Sequence, residues 1–301
     1  MRELRKTIRS VLRSPLSLRA KWRDHRLASK PHHELAVCAI FREEAPFLDE
    51  WLKFHLGIGV TRFYLYNNFS TDNFHEVLAP YIASGVVSLT TWPKPIGQLS
   101  AYSHCIRQRA NEARWLAFFD IDEYLFSPER MDIRPILEEY VSLPGVIVYS
   151  PYFGSSGFEH RPPGRLVETL TKRSTLDFRS AKTIVNPRQI LRAGVHAPKV
   201  LRGECLDTSF QKVTHLSVPV LDRLRINHYW SRSLSDLRKK VARGDASTAS
   251  PRVMSEHLKI ESRLNAEDDF SILPVSKAVF REEKPAPQSC LHRHLLVNGD
   301  S

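Results

Sequence analysis

The chain has 301 residues, of which 42% are hydrophobic and 26% charged, and its formal net charge is +11 at pH 7. This composition is typical of a folded globular protein and excludes collagen-like and low-complexity chains. The longest apolar run, Leu35 to Phe41, is far shorter than the ~20 residues of a membrane-spanning helix. Four scattered cysteines without a C-x-x-C pair indicate neither a disulfide framework nor a zinc knuckle, so we expect a reduced, cytoplasmic chain.

Most of the positive charge lies at the start of the chain. Residues 1–30 hold ten Lys and Arg against two acids, and so supply eight of the eleven net charges. Leu4, Ile8, Val11 and Leu12 recur there at helical spacing, which predicts a basic amphipathic leader. Peripheral docking on an anionic inner membrane face and a solvated tail both fit such a leader. The remainder lacks an RNA-binding pattern, so no nucleic-acid partner is expected.

From residue 34 onwards, short apolar runs alternate with amphipathic segments. The runs predict buried strands, and the segments between them predict helices. In chain order these are a strand at 34–41, a helix at 46–57, a strand at 61–66, a helix at 73–83, a strand at 86–92, a helix at 98–111 and a strand at 114–120. Each helix can supply the crossover that parallel strands need. We therefore predict an α/β fold with a Rossmann-type, mostly parallel sheet flanked by helices in one large domain.

The second half of the sequence is less regular. Phe153–Gly164 is rich in Gly, Pro and Ser and predicts a loop over the site. Leu234–Arg243 predicts a short basic helix that ends at Gly244. Residues 251–301 are polar and charged, which predicts a C-terminal extension outside a main domain at 34–250.

Ligands of an open parallel sheet bind beyond the carboxyl ends of its strands. That rule selects four segments, which are Arg42–Glu44, Asn67–Asp72, Trp92–Gln98 and Asp120–Glu123. The last segment carries three carboxylates within four residues, and these would repel one another unless a cation or hydrogen-bond donors neutralised them. Carboxylate oxygens suit Mg²⁺ or Mn²⁺ that also binds a diphosphate, and a solvated surface turn is the alternative.

Several longer segments carry a more specific signal. They include AVCAIFREEAPFLDEW, WPKPIGQLSAYSHC, RWLAFFDIDEYLF, AKTIVNP and RINHYWSRSLSDLRKKVARG, in this order. Together they resemble glycosyltransferase family 92 and its bacterial relatives over roughly residues 34–245. The resemblance implies a GT-A-like fold, a nucleotide-diphosphate sugar as donor, a divalent metal, and an inverting transfer to a saccharide or glycan acceptor.

The resemblance also implies roles for single residues. Asp120 and Asp122 would form a D-x-D motif that binds Mn²⁺ or Mg²⁺, with Glu123 orienting them. His228 would complete the metal shell or contact the diphosphate. The residues expected to contact the donor are Arg42, Glu44, Asn67, Asn68, Gln98, Asp120 and Lys182. The family more often has Asn where Glu43 stands and usually has Asp where Asn67 stands, so a charged role at Asn67 is not expected.

An inverting transfer needs a base that removes the proton of the acceptor hydroxyl. Glu159, Glu168 and Asp177 are the acidic candidates, and Glu168 is chosen because it follows the family-like Gly-Ser-Ser-Gly and Arg-Pro-Pro-Gly stretch. We thus predict a metal-dependent, hexosyltransferase-like glycosyltransferase. The alternatives are a nucleotidyltransferase on a related α/β sheet, which would ordinarily have a Gly-rich phosphate loop after the first strand, and a non-enzymatic basic adaptor for membranes or nucleic acids.

Other residues near these segments have competing interpretations. His55 lies on the apolar stripe of a helix and is expected as a satisfied helix residue, whereas His196 is expected in the pocket. Trp230 suits either core packing or stacking on a sugar face. Lys240 and Arg243 would either form a solvated face or bind an anionic diphosphate or lipid headgroup.

Overall fold

The structure, a computed structural model, describes residues 31–176, 180–244, 246 and 251–281. Strands and helices alternate in its first half, as predicted from the sequence. These elements are β1 (His33–Phe41), α1 (Ala45–Gly57), β2 (Arg62–Asn67), α2 (Phe74–Ala83), β3 (Val87–Thr91), α3 (Gln98–Arg109) and β4 (Ala113–Phe118).

The second half is built from shorter elements. They are β5 (Glu123–Phe126), α4 (Arg134–Glu138), β6 (Gly145–Tyr149), β7 (Tyr152–Phe153), α5 (Leu166–Thr169), β8 (Lys172–Arg173), β9 (Ala181–Val185), β10 (Ile190–Arg192), β11 (Lys199–Val200), β12 (Leu206–Asp207), β13 (Arg225–Tyr229), α6 (Leu234–Arg243), α7 (Met254–Glu261), β14 (Glu267–Asp268) and α8 (Leu273–Val279). The basic helix predicted at Leu234–Arg243 is thus confirmed, and a capping box formed by Ser233 and Asp236 fixes its start.

The main sheet has seven strands in the order β12-β6-β9-β4-β1-β2-β3. β3, β2, β1 and β4 are adjacent and parallel to one another. β9 is antiparallel to both β4 and β6, so it inserts one reversed strand into the sheet. The predicted GT-A-like class, with a mostly parallel sheet flanked by helices in one domain, is confirmed by this arrangement.

The central strand β1 is buried on both faces of the main sheet, as its unbroken apolar run predicts. Leu35, Val37 and Ala39 pack into one hydrophobic cluster with α1. Ala36 and Cys38 pack into a second cluster on the opposite face, with α3. Two covered faces leave only the ends of this strand exposed, so polar residues that follow it mark the edge where a ligand can bind.

A second sheet, in the order β14-β8-β7-β13-β5, lies at that edge. The chain leaves β4 and enters β5 through residues 119–122, so the acidic segment connects the two sheets. β13 is antiparallel to β5 and parallel to β7, which places His228 opposite both Glu123 and Tyr152. This pairing between distant parts of the sequence brings an imidazole to the carboxylates.

The C-terminal segment packs onto the domain as far as it is described. β14 pairs with β8, and α8 packs against α1 and α5 with Val275 and Ser276 buried. The polar extension predicted to begin at residue 251 is therefore part of the domain up to residue 281. Its amphipathic pieces are too short to show a clear apolar period in the sequence.

The described helices and strands do not test two of the predictions, the amphipathic leader and the cellular location. The amphipathic leader at residues 1–30 lies outside the described residues and stays a prediction. Among the helices described above, none has the length and apolar character needed to cross a bilayer. The cytoplasmic location and docking on the inner membrane face likewise stay predictions.

Candidate active site

A cleft opens where the strand-end rule predicts it, beyond the carboxyl ends of β1 and β4. The turn between β10 and β11, β13 and α6 complete its walls. Its charged and aromatic lining comprises Phe41, Arg42, Glu44, Asp120, Asp122, Glu123, Tyr152, Lys182, His196, His228, Trp230, Lys240, Arg243 and Arg252. Five of these side chains are Lys or Arg and four are Asp or Glu, so the lining has more fixed positive than negative charge. The cleft is therefore suited to an anionic ligand.

Lys182 neutralises the first and third acids of the acidic segment. Its Nζ lies 3.0 Å from Oδ2 of Asp120 and 3.2 Å from Oε2 of Glu123. Gln98 donates a hydrogen bond of 3.0 Å to the other oxygen of Asp120. Burial alone would lower the pKa of Lys182, but Asp120 and Glu123 hold it well above its usual value. Lys182 is thus a buried, permanently charged counter-ion for both acids.

The second acid, Asp122, has a different cation. Lys240 on α6 donates a hydrogen bond of 2.7 Å to Oδ2 of Asp122 and one of 2.9 Å to the carbonyl oxygen of Trp230. His228 Nε2 lies 3.4 Å from the other oxygen, Oδ1. Burial would raise the pKa of Asp122, but Lys240 and His228 hold it well below its usual value. Asp122 is therefore ionised at neutral pH.

Glu44 links the first strand end to α6 through two arginines. Arg232 donates to Oε2 of Glu44 at 2.7 Å, and Arg243 donates to Oε1. Arg243 also donates to the carbonyl oxygen of Arg42 at 2.7 Å. The guanidinium of Arg232 lies 3.5 Å from the centroid of the Phe47 ring. This buried ion cluster fixes α6, and with it Lys240, against the end of β1.

The acidic and histidine side chains of the cleft can hold a divalent cation with two ligands rather than the predicted three. Nowhere in residues 31–176, 180–244, 246 and 251–281 are three His, Cys, Asp or Glu side chains grouped to hold a metal ion. Asp120 is directed to Gln98 and Lys182, so the predicted set of Asp120, Asp122 and His228 is not assembled. The 3.4 Å between Asp122 Oδ1 and His228 Nε2 is close to the ~3 Å between adjacent ligands of an octahedral ion.

The other ring nitrogen of His228 supports the same interpretation. Nδ1 of His228 lies 3.4 Å from Oε1 of Glu123, and neither buried atom has a hydrogen-bond partner. Histidine ligands of metal ions usually direct their second nitrogen at a carboxylate, which orients the ring. Asp122 and His228 therefore fit Mn²⁺ better than Mg²⁺, because Mg²⁺ prefers oxygen ligands. Glu123 would lie behind the imidazole, and a diphosphate and water would supply the remaining ligands.

Asn67 and Asn68 follow β2 as predicted, but their side chains do not line the cleft. Asn67 Oδ1 accepts a hydrogen bond from the backbone of Ser70 at 3.0 Å. Asn68 Nδ2 donates to the carbonyl oxygens of Trp92 and Lys94, both at 2.8 Å. These contacts close the turn after β2, so the expected donor contacts of both asparagines are not present.

The turn after β2 also forms hydrogen bonds with the residues that follow β1, where the chain lines the cleft. Ser70 Oγ accepts a hydrogen bond from the backbone of Glu43, and Asp72 Oδ2 accepts one from Ala45 at 2.8 Å. Glu43 adopts a left-handed backbone with φ of 54°, a conformation in which Asn is favoured. Its side chain accepts a hydrogen bond from the backbone of Thr71 at 2.6 Å. The backbone at this position would therefore suit an Asn as well as the Glu that this chain has.

The predicted base, Glu168, lies outside the cleft. It is on α5, accepts a hydrogen bond of 2.8 Å from Ser276 on α8, and lies 3.6 Å from Arg165. Glu159 is paired with Arg238 on the outer surface of α6. Asp177 lies outside the described residues. We therefore assign the proton-accepting role to neither Glu168 nor Glu159, and Asp177 stays a prediction.

The segment predicted to cover the site, Phe153–Gly164, also faces elsewhere. The carbonyl oxygens of Phe158 and Glu159 accept hydrogen bonds from the backbone at the start of α6. Ser155 donates its backbone N–H to Glu261 on α7 at 2.9 Å. A Gly- and Pro-rich composition indicates a loop but not the face of the domain over which the loop lies.

The structure resolves most of the competing interpretations. His55 is fully buried between hydrogen bonds to Trp51 and Leu125, as a helix residue should be. Lys240 and Arg243 bind carboxylates at the cleft rather than forming a solvated face. Arg252 and Tyr152 also line the cleft, and Arg232 lies behind it. Sequence reasoning missed these last three because no local pattern connects them with the strand ends.

The fold and the cleft together define a class of protein. It is an α/β protein whose cleft, at the carboxyl ends of the parallel strands, is lined by paired acidic and basic side chains. The family model described as Glycosyltransferase family 92 matches residues 33–252 of the chain. The chain therefore belongs to this family. The family predicted from the sequence is thus confirmed.

Curated relatives agree with this assignment. A glycosyltransferase family 92 protein of Arabidopsis thaliana is 37% identical over 215 residues, which are 65% of this chain and 37% of that protein. A family 92 protein of Ricinus communis is 28% identical over 189 residues, 61% of this chain and 34% of that protein. A galactan beta-1,4-galactosyltransferase of Arabidopsis thaliana is 25% identical and covers 55% of this chain and 36% of that protein. The chain spans about a third of the length of these relatives.

Among solved structures, the S. aureus TarS fragment 1–349 in complex with UDP is similar at 13% identity, with a TM-score of 0.35. The similarity covers 51% of this chain and 47% of that chain. The same fragment without UDP gives a TM-score of 0.35 at 11% identity. We draw nothing about function from so distant a likeness.

Proposed function

We propose that this chain transfers a glycosyl group from a nucleoside diphosphate sugar to an acceptor hydroxyl. The observation that carries the proposal is the cleft itself, in which a family 92 chain gathers Asp122, His228 and Lys240 beyond the end of its fourth strand. The relative that is a galactan beta-1,4-galactosyltransferase supports a hexosyl donor and a saccharide acceptor.

The reaction requires stabilisation of a departing diphosphate, because negative charge develops on it as its bond to the sugar breaks. Lys240, Arg243 and Arg252 present cationic groups to the cleft from α6 and the segment that follows it. These groups are held in place before a ligand arrives, since Lys240 is bound to Asp122 and Arg243 to Glu44. They would bind the diphosphate and stabilise it as it leaves.

Asp122 and His228 are the residues that would hold Mn²⁺ or Mg²⁺. When bound, the ion would add positive charge beside the diphosphate oxygens. Glu123 would orient His228 from behind, and Lys182 would compensate the charges of the buried Glu123 and of Asp120. Asp120 is partly exposed, so one of its oxygens can still accept a hydrogen bond from a donor sugar or ribose.

An inverting transfer proceeds by one displacement at the anomeric carbon. The acceptor oxygen forms a bond to that carbon on the face opposite the diphosphate, while the carbon–oxygen bond to the diphosphate breaks. The protein must therefore hold the diphosphate at one side of the sugar and accept a proton at the other. The cationic groups on α6 meet the first requirement.

A thermal-shift panel of UDP-galactose, GDP-mannose and CMP-sialic acid, with and without Mn²⁺, tests this function. A ligand at a hundred times its Kd stabilises the folded chain by about 2.7 kcal/mol, which raises Tm by several degrees. We expect such a rise for one donor class, dependent on Mn²⁺, and its loss in Asp122→Asn. Asp222→Asn, an exposed acid outside the cleft, is the matched control.

The outcomes separate the proposal from its alternatives. A Mn²⁺-dependent rise in the wild type and in Asp222→Asn, absent in Asp122→Asn, supports a donor site at Asp122. No rise with any donor would contradict the glycosyltransferase proposal and would favour a non-enzymatic adaptor. A rise with nucleoside triphosphates but not with nucleoside diphosphate sugars would instead favour a nucleotidyltransferase.

A further inference from the structure

Every acid that lines the described cleft has a cation within ion-pair distance. Glu44 is bound by Arg232 and Arg243, and Asp122 by Lys240. Lys182 binds both Asp120 and Glu123. Burial raises the pKa of Glu123, but its side chain is fully buried and so does not reach an acceptor hydroxyl. The acids of this lining are therefore occupied as counter-ions of the Lys and Arg side chains around them.

His196 lines the same cleft and is differently arranged. It lies in the turn between β10 and β11, which two hydrogen bonds fix against β9. Its ring Nδ1 lies 3.2 Å from the carbonyl oxygen of Ala181, and its own carbonyl oxygen accepts a hydrogen bond of 2.8 Å from Thr183 Oγ1. A carbonyl oxygen only accepts hydrogen bonds, so Nδ1 carries the proton. In the neutral ring, Nε2 is then the proton acceptor.

The position of His196 follows from the strand order of the main sheet. β1, β4 and β9 are consecutive neighbours, so their ends form a row. Glu44 follows β1, Asp122 follows β4, and His196 is hydrogen bonded to β9. His196 therefore lies across the acidic segment from Glu44 and is exposed towards the cleft. A sugar whose diphosphate lies beside Asp122 would have this side open to an incoming hydroxyl.

Three charged or titratable groups influence the imidazole from the elements packed around it. They are Lys182 on β9, Asp120 after β4 and His228 on β13. Partial burial and the positive charge of Lys182 lower the pKa of His196 below its usual value, and Asp120 opposes them. The ring is therefore neutral at pH 7, the form in which Nε2 can take a proton. His228 is less suited, because both its ring nitrogens face carboxylates.

We infer that His196 is the general base of the proposed transfer, an assignment that rests on the proposed function. The acceptor oxygen bonds to the anomeric carbon, and its proton moves to Nε2 of His196. The bond between that carbon and the diphosphate oxygen breaks, and its electron pair leaves with the nucleoside diphosphate. The imidazolium then returns the proton to water, so the enzyme is regenerated without any further reactant.

The variant His196→Asn separates proton transfer from positioning. The asparagine amide can still donate to the carbonyl oxygen of Ala181, but it cannot accept a proton at neutral pH. Turnover of UDP-galactose, GDP-mannose and CMP-sialic acid is measured as release of nucleoside diphosphate or monophosphate, with water and with β-1,4-galactan oligosaccharides as acceptors. His160→Asn, on the exposed segment outside the cleft, is the matched control.

We expect kcat to fall by about 100- to 10,000-fold in His196→Asn, while the donor Kd and Tm stay close to those of the wild type. The acidic limb of the wild-type kcat against pH, which reports protonation of His196, should disappear in the variant. Added imidazole should restore part of the activity of His196→Ala, because it can diffuse into the vacated space.

Three results would overturn the assignment. They are a kcat in His196→Asn equal to that in His160→Asn, an acidic limb that persists unchanged in the variant, or a loss of activity explained entirely by a weaker donor Kd. Each of these leaves the proposed function standing, since the wild type still turns over a donor. Absence of turnover in the wild type with every donor would instead contradict the proposed function.

Discussion

The buried histidine beneath the acidic segment gives a prediction about stability and pH. His55 is fully buried on α1, where Nδ1 donates to the carbonyl oxygen of Trp51 at 2.8 Å. Nε2 accepts a hydrogen bond of 3.3 Å from the backbone of Leu125 on β5. Burial lowers the pKa of His55 from 6.5 to about 4, because the charged ring would lose its hydration and Nε2 could no longer accept.

The sign of the effect follows from proton binding. The folded pKa lies below that of the unfolded chain, so the unfolded state binds the proton more readily. The contribution of neutral His55 to stability is complete above pH 6.5 and is lost as the pH falls towards 4. With these two pKa values, the linkage relation gives a loss of about 2 kcal/mol at pH 5 and about 3 kcal/mol at pH 4.

Urea unfolding at pH 7.5, 6, 5 and 4.5 measures this loss. Other histidines titrate in the same range, so the quantity to compare is the difference between the wild type and His55→Gln at each pH. The variant should be less stable at pH 7.5 but should lose less stability on acidification, by about 2 kcal/mol at pH 5. If the free energy of unfolding fell equally with pH in the two proteins, the stability would not depend on a neutral imidazole at this buried position, and the prediction would be wrong.

Two further predictions concern the ion cluster and the excluded base. Glu44→Gln should lower the free energy of unfolding by about 3 kcal/mol, measured by urea unfolding, because the buried guanidinium of Arg232 would lose the negative charge that compensates it. Glu138→Gln, which breaks an exposed pair with Arg114, should cost no more than about 1 kcal/mol. Equal losses in the two variants would contradict this. Glu168→Gln should leave kcat within about twofold of the wild type, since Glu168 lies outside the cleft, and a fall of a hundredfold would restore it as the base.

The first half of the fold is predictable from the sequence because its signals are local. The run from Leu35 to Phe41 is apolar at every position, and the structure buries it on both faces. The helix from Ala45 to Gly57 presents a clear apolar stripe, with Pro46 in its first turn. Each such element is long enough to show its own period, so its type and approximate limits follow without knowledge of its partners.

The second sheet could not be predicted in this way. Its strands have two to five residues, and its order depends on pairing between segments far apart in sequence, such as β13 with β5. A strand of two residues, such as Tyr152–Phe153, has no period to read. His228 and Lys182 entered the predicted site through the family resemblance, because nothing local links them to the acids.

The strand-end rule selects segments but not side-chain directions. It selected Asp120–Glu123 and Glu44, which line the cleft, but it also selected Asn67 and Asn68, whose amides close a turn. Short polar side chains after a strand can bind a ligand or satisfy the backbone, and the sequence does not distinguish these uses. The cationic partners of these acids were harder still to predict. Lys240 and Arg243 reach the cleft from α6, which lies more than a hundred residues after the acids in the sequence.

We propose that the cleft between β4 and α6 binds a nucleoside diphosphate, and the assigned function depends on this binding. The most direct test is a crystal structure of the chain grown with Mn²⁺ and, in separate experiments, UDP, GDP or CDP. We predict that one of these nucleotides binds with its diphosphate beside Asp122 and in contact with the cationic groups of Lys240 and Arg243. A nucleotide found on another surface of the domain, or binding of none of the three at saturating concentration, would contradict the account.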